Sequence, residues 1–207
     1  MNIKTIDKEY TYTFIDKKSK FIAIILPCDN KKIAEEILEK MHDKYNDATH
    51  ICYAYIINDE NIIYKSSDDG EPSGTAGAPI LNVLKKNNLS NVILCVVRYF
   101  GGIKLGAGGL TRAYTNSASG VLSDINIVNI VEAYKFDITF SYENKAIVDK
   151  IVDNEDYIIL DKQYDIEVIY TIMVYQMEKY DYLNNKIGYL NVKFTSPMMI
   201  NTRKAID

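Results

Sequence analysis

The sequence predicts an α+β protein of two domains, residues 1–132 and 133–207. Three observations carry this. Strand-like alternation and helical stripes are interleaved along 207 residues that are 47% apolar and 25% charged, a globular composition. The segments after residue 135 follow the order β-α-β-β-α-β, that of a ferredoxin-like unit. Charge also divides: residues 1–130 hold 15 basic and 15 acidic side chains, while 131–207 hold 9 and 13 and carry the whole net charge of −4.

The elements follow in order. Residues 11–15 and 20–26, rich in Tyr, Phe and Ile, predict two strands. Ile33, Ala34, Ile37, Leu38, Met41 and Tyr45 recur at helical spacing, so 31–45 reads as an amphipathic helix capped by Asp29 or Asn30. His50–Ile57 and Ile62–Ser66 predict a hairpin turning through Asn58-Asp59-Glu60-Asn61. After a Gly/Ser/Asp segment, Pro79 suits the first position of a short helix ending at Asn87. Val92–Val97 is continuously apolar, as a strand covered on both faces must be. A Gly-rich loop, 101–109, leads into a helix whose stripe runs from Leu110 through Ala113, Tyr114 and Ser117 to Ile125; Gly108 or Gly109 is expected at its start. In the second domain Phe136 to Tyr142 alternate as a strand and Ile147 to Val152 form a helix. Tyr157–Leu160 and Ile166–Val174 are strands, Met177 to Ile187 a helix, and Leu190, Val192 and Phe194 a last strand.

Composition excludes several classes. The longest apolar run, Phe21–Cys28, is too short to span a bilayer and contains Pro27, so no membrane association is expected. The polar start, Met1–Tyr10, predicts no secretory signal, and a cytoplasmic location follows as the expectation. Cys28, Cys52 and Cys95 are scattered, without a CxxC pair, so neither a disulfide framework nor a thiolate metal site is expected. No cofactor motif is present. An acidic pI near 5.3 argues against a generally basic nucleic-acid coat, and no DNA sequence readout is expected.

Residue scarcity points to one window. The chain has 21 Lys but 3 Arg, and Arg98 and Arg112 fall in the stretch that also holds nine of the ten Gly. RYFGGIKLGAGGLTRAY (98–114) links a buried strand to a helix, where main-chain N–H groups favour an anion. Gly101, Gly102, Gly106, Gly108 and Gly109, with Arg98, Lys104 and Arg112, are the candidate anion site. Tight turns and close packing are the competing role for the same glycines. The dinucleotide pattern fails at Thr111, and the P-loop pattern fails at Ala107. SDDGEPSGTAG (67–77) places Asp68, Asp69 and Glu71 together, for Mg²⁺ binding or acid–base work, for pairing with Arg98 or Lys104, or simply as a turn. His50 and Cys52 share a strand face; packing competes there with nucleophilic chemistry. The 17 Tyr offer either core packing or stacking platforms for single strands.

The strings ATHICYAY (48–55), SDDGEPSGTAG (67–77) and RYFGGIKLGAGGLTRAY (98–114) together resemble the YigZ/IMPACT family. The resemblance implies a first domain like domain 2 of ribosomal protein S5 and a second like a ferredoxin-like domain of elongation factor G. Both point toward RNA and the translation machinery, and the eukaryotic members are linked with regulation of translation initiation. It supplies no catalytic residues. The leading reading is a non-enzymatic module that contacts RNA or ribosome-associated proteins and modulates translation. The rival is a hydrolase-like enzyme joining the Gly-rich anion loop to Asp68, Asp69 and Glu71.

Overall fold

The computed structural model describes residues 3–58, 61–153 and 157–205. The chain divides into two units, one running to Ile130 and taking in the segment from Arg203, the other Val131–Thr202.

The first unit is built on a sheet with a fully apolar centre. Its strands are β2 (Tyr10–Asp16), β3 (Ser19–Pro27), β4 (His50–Asn58), β5 (Ile62–Ser67) and β6 (Val92–Tyr99), while β1 (Ile3–Ile6) pairs elsewhere. The sheet order is β2-β3-β6-β4-β5, every pair antiparallel. β6 is central, and its alternate side chains serve two cores. Val92, Leu94 and Val96 face helices α2 (Gly77–Lys86) and α3 (Gly106–Val121). Ile93, Cys95 and Val97 join the core under α1 (Lys31–Lys44). This two-sided burial is why β6 is apolar without alternation. Asn30 is the cap of α1, its side chain accepting the Ile33 N–H at 2.9 Å.

β4 and β5 form the expected antiparallel pair; Asp59 and Glu60, of the turn expected from the sequence, lie outside the described residues. α2 begins at Gly77, two residues before Pro79. α3 begins at Gly106, earlier than the expected Gly108 or Gly109, because the turn that opens it is made by Gly106 itself at φ +71°.

The second unit uses β7 (Ile127–Phe140), α4 (Lys145–Val152), β8 (Ile158–Tyr164), β9 (Val168–Val174), α5 (Met177–Ile187) and β10 (Lys193–Phe194). The order β10-β7-β9-β8, all antiparallel, is that of a βαββαβ ferredoxin-like sheet. Phe136, Ile138 and Phe140 of β7 and Tyr170 and Ile172 of β9 bury their side chains with Val148 of α4 and Leu183 of α5. β11 (Met198–Ala205) also pairs with β7.

Three features depart from the sequence expectation. The strand expected from Phe136 begins nine residues earlier: β7 runs unbroken through residue 133, pairing with β1 over Ile127–Ile130 and with β9 over Tyr134–Phe140. β1 and β11 were not legible as strands, since neither alternates clearly and each acquires its backbone partner from far along the chain. Ile166 precedes β9 and is 90% exposed. Among the described residues, no helix is long and apolar enough to cross a membrane.

Leu94→Ala removes a fully buried side chain from the sheet centre and is expected to cost about 2–5 kcal/mol in urea denaturation. Ile166→Ala should stay within about 0.5 kcal/mol of wild type.

Candidate functional site

β-sheet register sets the site. Arg98, near the end of β6, lies directly opposite Phe21 of β3 and His50 of β4, so all three project toward α3. The loop after β5 then folds back over this row. The Asp68 carboxylate collects the N–H groups of Gly74 (2.8 Å), Ala76 (2.9 Å) and Gly77 (2.8 Å). Asp69 Oδ2 accepts the Ile51 N–H at 2.6 Å, and its carbonyl accepts the His50 Nδ1–H at 2.6 Å. These bonds turn Glu71 inward.

Glu71 and Arg98 form a buried ion pair. Oε1 accepts from Arg98 Nη1 at 2.6 Å, with side-chain exposures of 3% and 6%. The same oxygen accepts the Tyr114 hydroxyl at 2.8 Å. Arg98 Nη2 donates to Ser19 Oγ at 3.4 Å, and its guanidinium lies 5.4 Å from the Phe21 ring centroid and 5.5 Å from that of Phe100. Arg98 Nε is buried without a partner among the described residues. Glu71 Oε2 accepts no hydrogen bond among the described residues and faces His50 Nε2 at 4.0 Å. A carbonyl only accepts, so the proton of neutral His50 sits on Nδ1 and leaves Nε2 as an acceptor.

The Cys52 thiol packs 3.3 Å from the Tyr114 hydroxyl and 3.0 Å from the Asp68 carbonyl. Burial pushes it up to about 12, so it is a packing group rather than a nucleophile. Burial likewise pushes the Tyr114 hydroxyl up, reinforced by Cys52 and Glu71. Burial would also raise the Asp68 carboxyl, but the N–H groups of Gly74, Gly77 and Ala76 outweigh it and hold it below its ordinary 3.8.

The two Gly-rich segments meet. An open pocket of about 450 Å³ is lined by His50, Glu71, Arg98, Phe100, Lys104 and the start of α3 from Gly106 to Leu110. Lys104 is exposed at this pocket and makes no ion pair among the described residues. α3 has no side-chain cap.

The glycines divide in role. Gly101 presses on the main chain of Lys18: a Cβ there would come within 2.0 Å of the Lys18 carbonyl carbon. Gly102 (φ +83°) and Gly106 turn the chain, Gly109 is buried against Leu105, and Gly108 faces open space. The structure does not bring Arg112 to the others. It is the seventh residue of α3, in the second turn rather than the first. It lies two residues past Leu110, about 200° around the helix, exposed and outside the pocket lining. Arg98 is likewise committed to Glu71 rather than open to an anion. Asp68 and Asp69 serve main-chain N–H groups. Tyr114 was legible only as part of the apolar stripe; a tyrosine there signals a hydroxyl needing a buried partner. Ser19 and Phe100 carried no sequence signal.

Three relatives give context. The Impact N-terminal domain family matches residues 17–122. IMPACT family member YvyE of Bacillus subtilis is 45% identical over 124 residues, covering 60% of this chain and 57% of that protein, little more than half its length. IMPACT family member YigZ of Escherichia coli is 30% identical over 155 residues, covering 74% of this chain and 76% of that protein. The crystal structure of a hypothetical protein aligns over 100% of this chain and 98% of its own, with a TM-score of 0.62 and 25% identity.

Two expectations follow. Gly101→Ala should destabilise by about 1–3 kcal/mol or more, because backbone must move, whereas Gly108→Ala should be neutral or stabilising by up to about 1 kcal/mol in thermal melts. The lowered Asp68 carboxyl contributes stability above its ordinary 3.8 that is lost as pH falls through its folded value. Asp68→Asn should therefore be less stable at pH 7, with the gap to wild type narrowing in acid denaturation below about pH 4.

Proposed function

For this chain, which belongs to the IMPACT family, we propose a non-enzymatic role as an RNA-contacting module that modulates translation. The setting comes from what the family resemblance implies; the contact comes from geometry. One observation carries it: the charge inside the pocket is internally balanced by Glu71 and Arg98, while the cation Lys104, which makes no ion pair among the described residues, stands at its lining beside an uncapped helix start. A phosphate is the ligand that such a rim suits. Lys17 and Lys18 extend it. They form the exposed tip between β2 and β3, both at positive φ (43° and 66°), and the Lys18 main chain packs on Gly101, next to Phe100. The hydrolase reading has less support, because Asp68 and Asp69 are used by the main chain and Glu71 is held by Arg98.

The test is fluorescence anisotropy of an eight-nucleotide all-uridine RNA across a salt series. Three lysine–phosphate contacts predict weak binding whose log K falls against log salt with a slope of about −2. Reversing all three charges (Lys17→Glu, Lys18→Glu, Lys104→Glu) should abolish binding. Absence of binding by wild type, or affinity indifferent to salt, overturns the reading.

A further inference from the structure

We propose that the pocket is a socket for a single unpaired guanine of the bound RNA strand. This rests on the RNA reading above and goes beyond phosphate contact, because one base would be read. The wall chemistry is that of a base site. Phe100, Leu105 and Leu110 give the pocket apolar surface, and Phe100 is 46% exposed, an open aromatic face at the lining. Unstacked RNA bases are held by stacking on such rings and by hydrogen bonds to their Watson–Crick edges. A volume of about 450 Å³ lies within the range of small-ligand sites.

The polar end of the pocket selects the base. Two acceptors lie there, Glu71 Oε2 and His50 Nε2, 4.0 Å apart. Each has a reason to be free. Glu71 spends Oε1 on Arg98 and Tyr114, which leaves Oε2 without a donor among the described residues. His50 spends its Nδ1 proton on the Asp69 carbonyl. A carboxylate at this depth would ordinarily call for a cation. Here Arg98 already neutralises it at 2.6 Å, and Lys104 disfavours a second positive charge. What remains unmet is a pair of neutral donors. Adenine and cytosine each present one amino group on this edge and uracil one ring N–H, whereas guanine presents a ring N–H beside an amino group. The phosphates on either side of that base would fall to Lys104 and the Lys17–Lys18 tip.

The experiment compares three eight-nucleotide RNAs on the full chain: all-uridine, the same with one central guanosine, and the same with one central inosine, which lacks the amino group. Guanosine should bind about tenfold more tightly than the other two. Phe100→Ala, checked by its melting curve, should erase that preference while leaving the salt slope, which the lysine–phosphate contacts set, unchanged. Free 5′-GMP should compete only at far higher concentration than the guanosine oligonucleotide, lacking the flanking phosphates. Equal affinity of wild type for all three RNAs, with all-uridine binding intact, rejects the socket and leaves the RNA reading standing. GMP as tight as the oligonucleotide rejects the strand-linked form. Absence of binding to any of the RNAs overturns both.

Discussion

The buried pair of Glu71 and Arg98 is the constraint around which the first unit is arranged. Two charges removed from water are tolerated only when geometry and further hydrogen bonds compensate, and taking away one partner of such a pair typically costs about 3–5 kcal/mol. Compensation here comes from four directions. Tyr114 on α3 donates to the same carboxylate oxygen, and Ser19 at the start of β3 meets the guanidinium. Phe21 and Phe100 lie against the guanidinium, and the Asp68 and Asp69 turns hold the Glu71 loop down. A lysine ammonium cannot lie between rings and also donate along two planar directions. That is a physical reason for an arginine in a chain that otherwise uses lysine.

The pair also shapes the electrostatics of the pocket. With its carboxylate balanced internally, the pocket presents hydrogen-bonding capacity without a net internal charge, and cations appear only at the exposed lining. The glycine loop serves the same end. Gly101 lets the β2–β3 tip approach the chain closely, Gly102 and Gly106 reverse direction, and α3 then starts with its N–H groups uncapped. Gly101 serves the close approach, and Gly102 and Gly106 the turns.

The second unit rests on a plainer device. Alternation along β7 and β9 buries one face under α4 and α5, and Asp149 ties that layer together by accepting from Lys145 at 2.5 Å and from the Tyr170 hydroxyl at 2.6 Å. Burial would raise the Asp149 carboxyl, but Lys145 and Tyr170 hold it below its ordinary range. No comparable pocket chemistry gathers on these residues, and the functional argument stays with the first unit.

Periodicity is a local property, and what depends on it was legible in the sequence: the two-sided burial of β6, the stripes of α1 and α3, the βαββαβ order and the alternation in β9. Rarity was informative too, since scarce arginine and clustered glycine marked Arg98 and both loops, and Glu71 stood out as one of three clustered carboxylates. Partnership is not local. β1 and β11 are strands because distant backbone is there to pair with them, and β7 passes through the expected boundary because each half finds a different partner. The same limit separates Arg98 from Arg112. Both stood out equally by composition, but helix phase turns with each residue, and a start at Gly106 carries Arg112 away from the pocket. Arg98 is drawn inward because sheet register sets it between Phe21 and His50, with Glu71 folded above. Which charge is buried and which meets solvent is decided by the contacts that closing the chain creates.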